Sequence, residues 1–141
     1  MNRENLEKSY SFFLEMEVRD YELDCEKIVN NANYLHYFEH TRHKFCQFVG
    51  VPFISLVEKG IVVVVRKIEI EYLSSLHSGE TFLSCLWLER KGPRFIFHQD
   101  IISAEYNLIA RAIVTVVALE NGKLTRGDEI SEIFSEYIKS T

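Results

Sequence analysis

"YELDCEKIVNNANYLHYFEH", residues Tyr21–His40, joins an acidic loop to an aromatic run. Asn30 or Asn31 can cap a helix at this junction, because a short amide oxygen accepts a hydrogen bond from a free first-turn N–H group. The apolar residues that follow recur at spacings typical of one helix face. The pattern predicts a helix over 31–49 that ends at Gly50 in a left-handed conformation. Its predicted buried stripe is Leu35, Phe38, Phe45 and Val49.

The sequence on either side of this helix predicts strands. Apolar and polar residues alternate from Ser11 to Arg19, which is typical of a half-buried strand. After a short helix predicted over 52–58, the β-branched run Val62–Val65 is expected to be core. A last short helix is expected from Asp128. The strands after the long helix are predicted over 61–73, 81–91, 94–103 and 108–120.

The order of these elements limits the fold class. One long helix after the first strand cannot build a doubly wound sheet, which needs helices between successive strands. The order favours an α+β fold, in which a curved antiparallel sheet of about five strands wraps around the long helix. Short turns predict that consecutive strands pair as a meander. We expect one domain over residues 1–141, because no linker or repeat interrupts the chain.

Composition and charge exclude several classes of function. The net charge of −5 argues against a nucleic-acid partner, which usually requires a basic face. No apolar run approaches the roughly 18 residues of a membrane span, and the polar start "MNRENLEKSY" does not resemble a signal peptide. Cys25, Cys46 and Cys85 are odd in number and contain no CxxC pair, as expected for reduced thiols. We therefore expect a cytoplasmic protein without a membrane partner.

Asp24 is the first candidate for chemistry. It precedes the predicted helix by about seven residues, in a loop long enough to fold back over the helix start. That start carries unpaired N–H groups and a partial positive charge. Fixed backbone donors of this kind stabilise the oxyanion of an acyl-transfer reaction. A nearby carboxylate can attack the carbonyl or activate a water molecule.

The stretch over 18–45 resembles the hotdog-fold acyl-CoA thioesterases of the 4-hydroxybenzoyl-CoA thioesterase type. The similarity is strongest at "VNNANYL", residues 29–35, and Asp24 falls on the catalytic acid of the motif. The resemblance implies that Asp24 is nucleophile or general base and that the N–H of Asn31 polarises the thioester carbonyl. Asn33 and Tyr34 match positions that shape the helix start beside the substrate. The family forms dimers or dimers of dimers with the active site between subunits, which implies a homodimer or homotetramer here.

Two residues depart from the family pattern. Lys27 stands where the family usually has glycine, and Glu22 replaces an aspartate. Glycine at that position would allow a positive φ or a close backbone approach, which lysine adopts at a cost. We therefore expect that the loop takes another path or that the substrate approaches differently.

Other residues are candidates for substrate contacts. Arg90, Lys91 and Arg94 can meet the phosphates of coenzyme A, although charges on strand edges also prevent unwanted pairing. One residue of the valine run, Val65, is a candidate for the acyl pocket. His36 and His40 share a helix face, but no third ligand accompanies them, so we expect no metal and no cofactor.

The sequence thus predicts hydrolysis of an acyl-CoA thioester. Two alternatives remain open: an enzyme of the same fold that acts on acyl carrier protein thioesters, and a hotdog protein that binds acyl thioesters without hydrolysing them. The identity of the acyl group is not encoded in any residue that the pattern places.

Overall fold

The computed structural model describes residues 2–139, and the elements follow the predicted order with an added helix at the start and an added short strand at Lys123–Leu124. A short 3-10 turn covers Asp20–Glu22, between the first strand and the long helix. Within the described residues, no helix is both long enough and apolar enough to cross a membrane. The helices are α1 (Arg3–Ser9), α2 (Asn31–Val49), α3 (Phe53–Glu58) and α4 (Asp128–Ile133), and the strands are β1 (Phe12–Glu17), β2 (Ile61–Tyr72), β3 (Thr81–Lys91), β4 (Arg94–Ser103), β5 (Leu108–Glu120) and β6 (Lys123–Leu124).

The strands form a curled antiparallel sheet in the order β1-β3-β4-β5-β2, and β6 folds back onto β5. The predicted fold class is therefore confirmed. The predicted meander is correct only for β3, β4 and β5. The expected pairing of β2 with β3 is wrong, because β2 pairs along its full length with β5 at the opposite end of the sheet. The 73–80 segment crosses from one edge of the sheet towards the other, so chain order does not give spatial order here.

The long helix α2 has the predicted bounds, but its buried stripe differs from the prediction. Leu35 is 41% exposed, and Val49 is only partly buried. The aromatic residues near the start of α2 face the sheet, so their rings occupy the buried positions instead of Leu35. The buried residues of α2 are Tyr34, Tyr37, Phe38, Thr41 and Phe45.

Two polar contacts fix α2 to the buried face of the sheet. The Thr41 hydroxyl lies 2.6 Å from that of Ser84 and donates to the Tyr37 carbonyl at 2.8 Å. Gln99, which is fully buried on β4, donates to the Phe38 carbonyl and accepts from Arg42 of the same helix. Buried polar groups of this kind define the position of a helix more sharply than apolar contacts do, because each requires its partner.

The ends of the chain cover both faces of the sheet. Helix α1, which the sequence pattern did not predict, buries Leu6 against Cys85 and Ile102. Its single apolar anchor explains why no helical periodicity was visible. The predicted C-terminal helix is present as α4, and Phe134, directly after it, stacks on Phe45 with ring centroids 5.7 Å apart.

Strand β2 forms an exposed edge, so the expectation that the valine run is core is wrong. Val62–Val65 are between 36% and 47% exposed, although each pairs with β5 on one side. Further along the same strand, Ile68 and Tyr72 are also exposed. A long apolar edge strand of this kind is a ready template for pairing with another chain.

We expect Gln99→Leu to lower the free energy of unfolding by about 1–3 kcal/mol, because the Phe38 carbonyl and the Arg42 guanidinium lose their buried partner. Urea denaturation followed by circular dichroism measures this change. Ser84→Ala is the matched control: Thr41 keeps its bond to the Tyr37 carbonyl, so a smaller loss is expected. Equal losses for the two variants would contradict the assigned role of Gln99.

Candidate active site

The acidic loop folds as a tight hairpin that leads directly into α2. Leu23 pairs with Val29, and the Asp24 N–H donates to the Ile28 carbonyl at 2.9 Å. At the base of the hairpin, the Asn30 N–H donates to the Glu22 carbonyl at 2.9 Å. The structure therefore places Asp24 on one arm of the hairpin and the start of α2 at the end of the other arm.

The Asp24 carboxylate is half-buried and is held by its own turn. Its Oδ1 accepts from the Glu26 N–H at 2.8 Å, while no group among residues 2–139 donates to its Oδ2. The bond to Glu26 is the usual way in which a short acidic side chain stabilises a turn. One oxygen thus fixes the orientation of the side chain and the other remains available for a reaction.

Lys27 takes the conformation that glycine would take. Its φ is +64°, in the left-handed region, and its N–H donates to the Asp24 carbonyl at 3.0 Å. Lys27 thus adopts, at the cost of strain, a positive φ that glycine takes freely, and the expectation of another loop path or another substrate approach stays a prediction. A left-handed conformation costs a residue with a Cβ roughly 1–2 kcal/mol. Strain of this size is often found at functional sites.

The backbone N–H of Asn31, at the start of α2, is free of the capping bonds around it. Asn30 is the N-cap, and its Oδ1 accepts from the Ala32 N–H at 3.0 Å, while the Asn33 N–H donates to the Asn30 carbonyl. The N–H of Asn31 has no acceptor within residues 2–139. The Asn31 carbonyl accepts from the Tyr72 hydroxyl at 3.2 Å, which anchors this residue to the end of β2.

Glu22 holds the hairpin and the helix together, a role that the sequence pattern did not reveal. Its buried carboxylate accepts from the Arg19 N–H at 2.8 Å and from the Tyr37 hydroxyl at 2.9 Å. Its backbone carbonyl accepts from the side chain of Asn33 at 2.8 Å. Burial, followed by the bond to Glu22, raises the pKa of Tyr37, so this tyrosine stays a neutral donor. In the sequence, the one signal for the contact between Glu22 and the helix is the aromatic residue at position 37, one helical turn after Asn33.

Tyr34 packs below the helix start. It is buried, and its ring lies edge-on to the rings of Tyr37 and Tyr72, at 5.8 and 5.4 Å between centroids. Burial raises the pKa of its hydroxyl. Tyr34 and Asn33 therefore support the geometry of the site, with Asn33 bonded inward to Glu22.

An apolar cavity of about 260 Å³ lies between α2, α3 and the sheet, and Val65 is among its lining residues. Val63 from β2, Phe53 from α3 and Cys46 from α2 also line it. Burial raises the pKa of the Cys46 thiol to about 11, so this cysteine remains an uncharged, apolar wall. Neither Asp24 nor Asn31 lines this cavity.

The basic residues lie far from Asp24 within one protomer. The hairpin of Asp24 bridges to His77, just before β3, whereas Arg90, Lys91 and Arg94 flank the far end of that strand. Arg90 is bonded to the Asp128 carboxylate at 2.8 Å and to two backbone carbonyls.

The other two cations differ in their surroundings. Lys91 lies 3.3 Å from Glu89, a buried carboxylate on the same strand. Arg94 is exposed, and no carboxylate among residues 2–139 pairs with it. Of the three basic candidates, Arg94 is therefore the one free to meet an anion.

The histidines of α2 line a polar cleft of about 420 Å³ along the outer side of the helix. Glu39 lies beside them, and His36 is 3.3 Å from the Asn33 side chain. Burial and the nearby Lys44 lower the pKa of His40. Within the described part of the chain, no three His, Cys, Asp or Glu side chains are grouped closely enough to hold a metal ion.

The strand order and the long helix against a curled sheet define a hotdog thioesterase fold. The chain belongs to the thioesterase-like superfamily, whose family model matches residues 18–137. It is 37% identical over 70 residues to a chloroplastic acyl-acyl carrier protein thioesterase of Arabidopsis thaliana, a match covering 50% of this chain and only 37% of that relative.

Two solved structures have the same fold. A hypothetical protein from Aquifex aeolicus is 28% identical, with a TM-score of 0.77 over 86% of this chain and 98% of that one. The DHNA-CoA thioesterase from Staphylococcus aureus is 21% identical, with a TM-score of 0.76 over 88% of each chain. The second likeness concerns the fold alone.

We expect Lys27→Gly to raise the free energy of unfolding by up to about 1 kcal/mol, because glycine takes a positive φ without strain while gaining freedom in the unfolded chain. Urea denaturation measures the change. Glu26→Gly in the same turn is the control, since Glu26 has no positive φ to relieve, and it should destabilise the protein. A loss of stability in Lys27→Gly would show that the lysine side chain contributes more than its backbone costs.

Proposed function

We propose that the protein hydrolyses acyl-CoA thioesters to the free acid and coenzyme A. The observation that carries the proposal is the hairpin of residues 22–30, which holds a half-buried carboxylate with a free oxygen on one arm and leads to an unpartnered N–H at the start of α2. Membership of the thioesterase-like superfamily supports a thioester as the substrate. The finer assignment, to the 4-hydroxybenzoyl-CoA type, rests on the motif at 29–35 and is part of this proposal.

In the proposed reaction, the thioester carbonyl oxygen accepts from the Asn31 N–H. Asp24 either attacks the carbonyl carbon, forming an anhydride that water then hydrolyses, or takes a proton from water so that the water oxygen attacks directly. In both routes the carbon–sulfur bond breaks, and the coenzyme A thiolate leaves and takes up a proton. In this proposal the Asn31 N–H stabilises the negative charge that grows on the carbonyl oxygen, as a backbone donor fixed before the reaction would do.

We further propose that two copies of the chain pair along β2. This strand presents unpaired backbone groups along its free edge and exposed valines at 62–65, and a second copy in antiparallel register would cover both. Such a pair is isologous, so each copy uses the same surface. The proposed dimer, or a tetramer built from two of them, would place the sites near the subunit boundary.

Phosphates of the substrate are the proposed ligands of the basic hairpin between β3 and β4. Arg94 is the main candidate, because Arg90 is occupied by Asp128 and Lys91 lies beside Glu89. We also propose a cytoplasmic location, which the three free thiols of Cys25, Cys46 and Cys85 support.

An acyl carrier protein thioester is the alternative substrate, favoured by the similarity to the Arabidopsis thaliana enzyme. Matched acyl groups on coenzyme A and on acyl carrier protein separate the two possibilities. A kcat/KM for the coenzyme A substrate well above that for the acyl carrier protein substrate supports the first proposal. The opposite order supports the alternative.

We expect Asp24→Asn to reduce kcat by roughly 10²- to 10⁴-fold, the range that a positioned acid–base group contributes. The asparagine oxygen can still accept from the Glu26 N–H, so the turn and the fold should be retained. Thiol release from a panel of acyl-CoAs measures the rate, and circular dichroism checks the fold.

Glu26→Gln is the control for this experiment, because it removes an exposed carboxylate from the same hairpin and should keep the parent rate. If Asp24→Asn hydrolysed a good substrate as fast as the parent, Asp24 would not be catalytic. Saturable binding of acyl-CoA without any thiol release by the parent would instead identify a non-catalytic binding protein.

We expect Val64→Lys to weaken the proposed dimer, because it places a charge in the middle of the exposed part of β2. Sedimentation equilibrium over a range of protein concentrations measures the shift towards monomer. Leu124→Lys, at an exposed site on β6, is the control and should leave the association unchanged. An unchanged association in Val64→Lys would place the contact elsewhere.

A further inference from the structure

The apolar cavity behind β2 has no role within the hairpin site. It is closed on its inner side by buried aromatic and aliphatic residues of the sheet and of the C-terminal segment. Its polar lining comes only from α2, and the Arg42 guanidinium is already bonded to Gln99. The inner part of the cavity is apolar and suits an apolar ligand. The residues on its inner side are Leu88, Phe95, Phe97, Val116, Ile130 and Phe134.

The lining indicates which acyl group would fit. A hydroxyl group on an aromatic acyl ring would lose its bonds to water at the inner end of this cavity and find no replacement. A linear hydrocarbon chain has no hydrogen bonds to lose there. At roughly 30 Å³ for a group the size of water, the volume of about 260 Å³ corresponds to about eight or nine methylene-sized groups.

Within one protomer, however, the cavity and the hairpin site lie at opposite ends of β2. The start of α2 is anchored at Tyr72, the last residue of the strand. The cavity is lined by Val63 and Val65, near the first residue of the strand. Seven to nine residues of strand separate them, which is roughly 23–30 Å. Along α2 the nearest lining residue, Glu39, lies eight residues after Asn31, roughly 12 Å. Within one protomer, a chain of medium length held at Asn31 would therefore end near the mouth of the cavity and not at its apolar inner end.

Antiparallel pairing of two β2 strands removes this separation. About a two-fold axis near the middle of the strand, the start of one β2 lies beside the end of the other. The start of α2 that is anchored at the end of one strand then lies next to the cavity of the other protomer. The exposed apolar side chains of α3, Ile54 and Val57, lie at the same end as the cavity and would be covered by the second copy.

We propose that the substrate is a linear aliphatic acyl thioester of medium length, and that its chain enters the cavity of one protomer while the Asp24–Asn31 site of the other protomer cleaves it. This inference rests on the proposed thioesterase function and on pairing along β2. Val65 and Cys46 then determine the chain length, one from the strand and one from the helix.

Chain-length profiles test the cavity. For Val65→Phe and, separately, Cys46→Phe, the ratio of kcat/KM for decanoyl-CoA to that for butyryl-CoA should fall at least tenfold, because the added ring occupies the inner space. Leu124→Phe is the matched control: it adds the same ring at an exposed residue of β6 that does not line the cavity, and should keep the parent ratio. An unchanged ratio in both cavity variants would overturn the proposal.

Subunit mixing tests the exchange between protomers. Asp24→Asn and Cys46→Phe are co-expressed with different tags, and the mixed dimer is isolated through both tags. In the proposed arrangement, one site of the mixed dimer combines an intact Asp24 with an open cavity, so decanoyl-CoA hydrolysis should return to about half of the parent rate. No recovery above the two single variants would show that cavity and acid belong to the same protomer.

Equilibrium binding separates this proposal from the proposed function. Binding of decanoyl-CoA to Asp24→Asn is measured by calorimetry, with and without Val65→Phe. Absence of thiol release by the parent from every acyl-CoA would refute hydrolysis. If Val65→Phe nevertheless weakened decanoyl-CoA binding to Asp24→Asn at least tenfold, the cavity would be supported. Active hydrolysis with equal binding in the two backgrounds would overturn the cavity alone.

Discussion

The buried carboxylate of Glu22 is the contact on which the geometry of the site depends. It joins the end of β1, through the Arg19 N–H, to the second turn of α2, through the Tyr37 hydroxyl. The carbonyl of the same residue holds the base of the hairpin and the side chain of Asn33. A buried carboxylate is costly unless its oxygens are satisfied, so this residue can stay inside only when strand, hairpin and helix are all in place.

The strained turn at Lys27 follows from that arrangement. With both arms of the hairpin fixed at Glu22 and Asn30, only three residues are left between Asp24 and Ile28 to reverse the chain. The reversal requires one positive φ, and the chain meets it at Lys27. The turn directs one oxygen of Asp24 to the Glu26 N–H and leaves the other without a donor among residues 2–139. The defined orientation of the Asp24 carboxylate thus accompanies backbone strain at Lys27.

Much of this fold could be predicted from the sequence, because its signals are local. The cap at Asn30, the left-handed Gly50 and the bounds of α2 depend on neighbouring residues alone. The partner of β2 depends on distant residues, because it is set by the crossover of the chain and by the face of the strand that meets the helix. The exposure of Leu35 and of the valine run follows from that choice. At the site, the roles of Asp24 and of the Asn31 N–H stay predictions, whereas the role of Glu22 depends on a contact between residues fifteen positions apart.

The position of β2 also affects how the chain is made. Its only partner among residues 2–139, β5, begins at Leu108, so synthesis of the 35 residues between them takes roughly two to seven seconds at ordinary translation rates. During that interval an apolar, β-branched strand has emerged without a neighbour, which is a hazard for aggregation. Charged residues interrupt the apolar pattern in the second half of the strand, where Lys67 pairs with Glu69 at 2.9 Å. These charges protect the nascent chain at the place where the finished protein keeps an apolar edge.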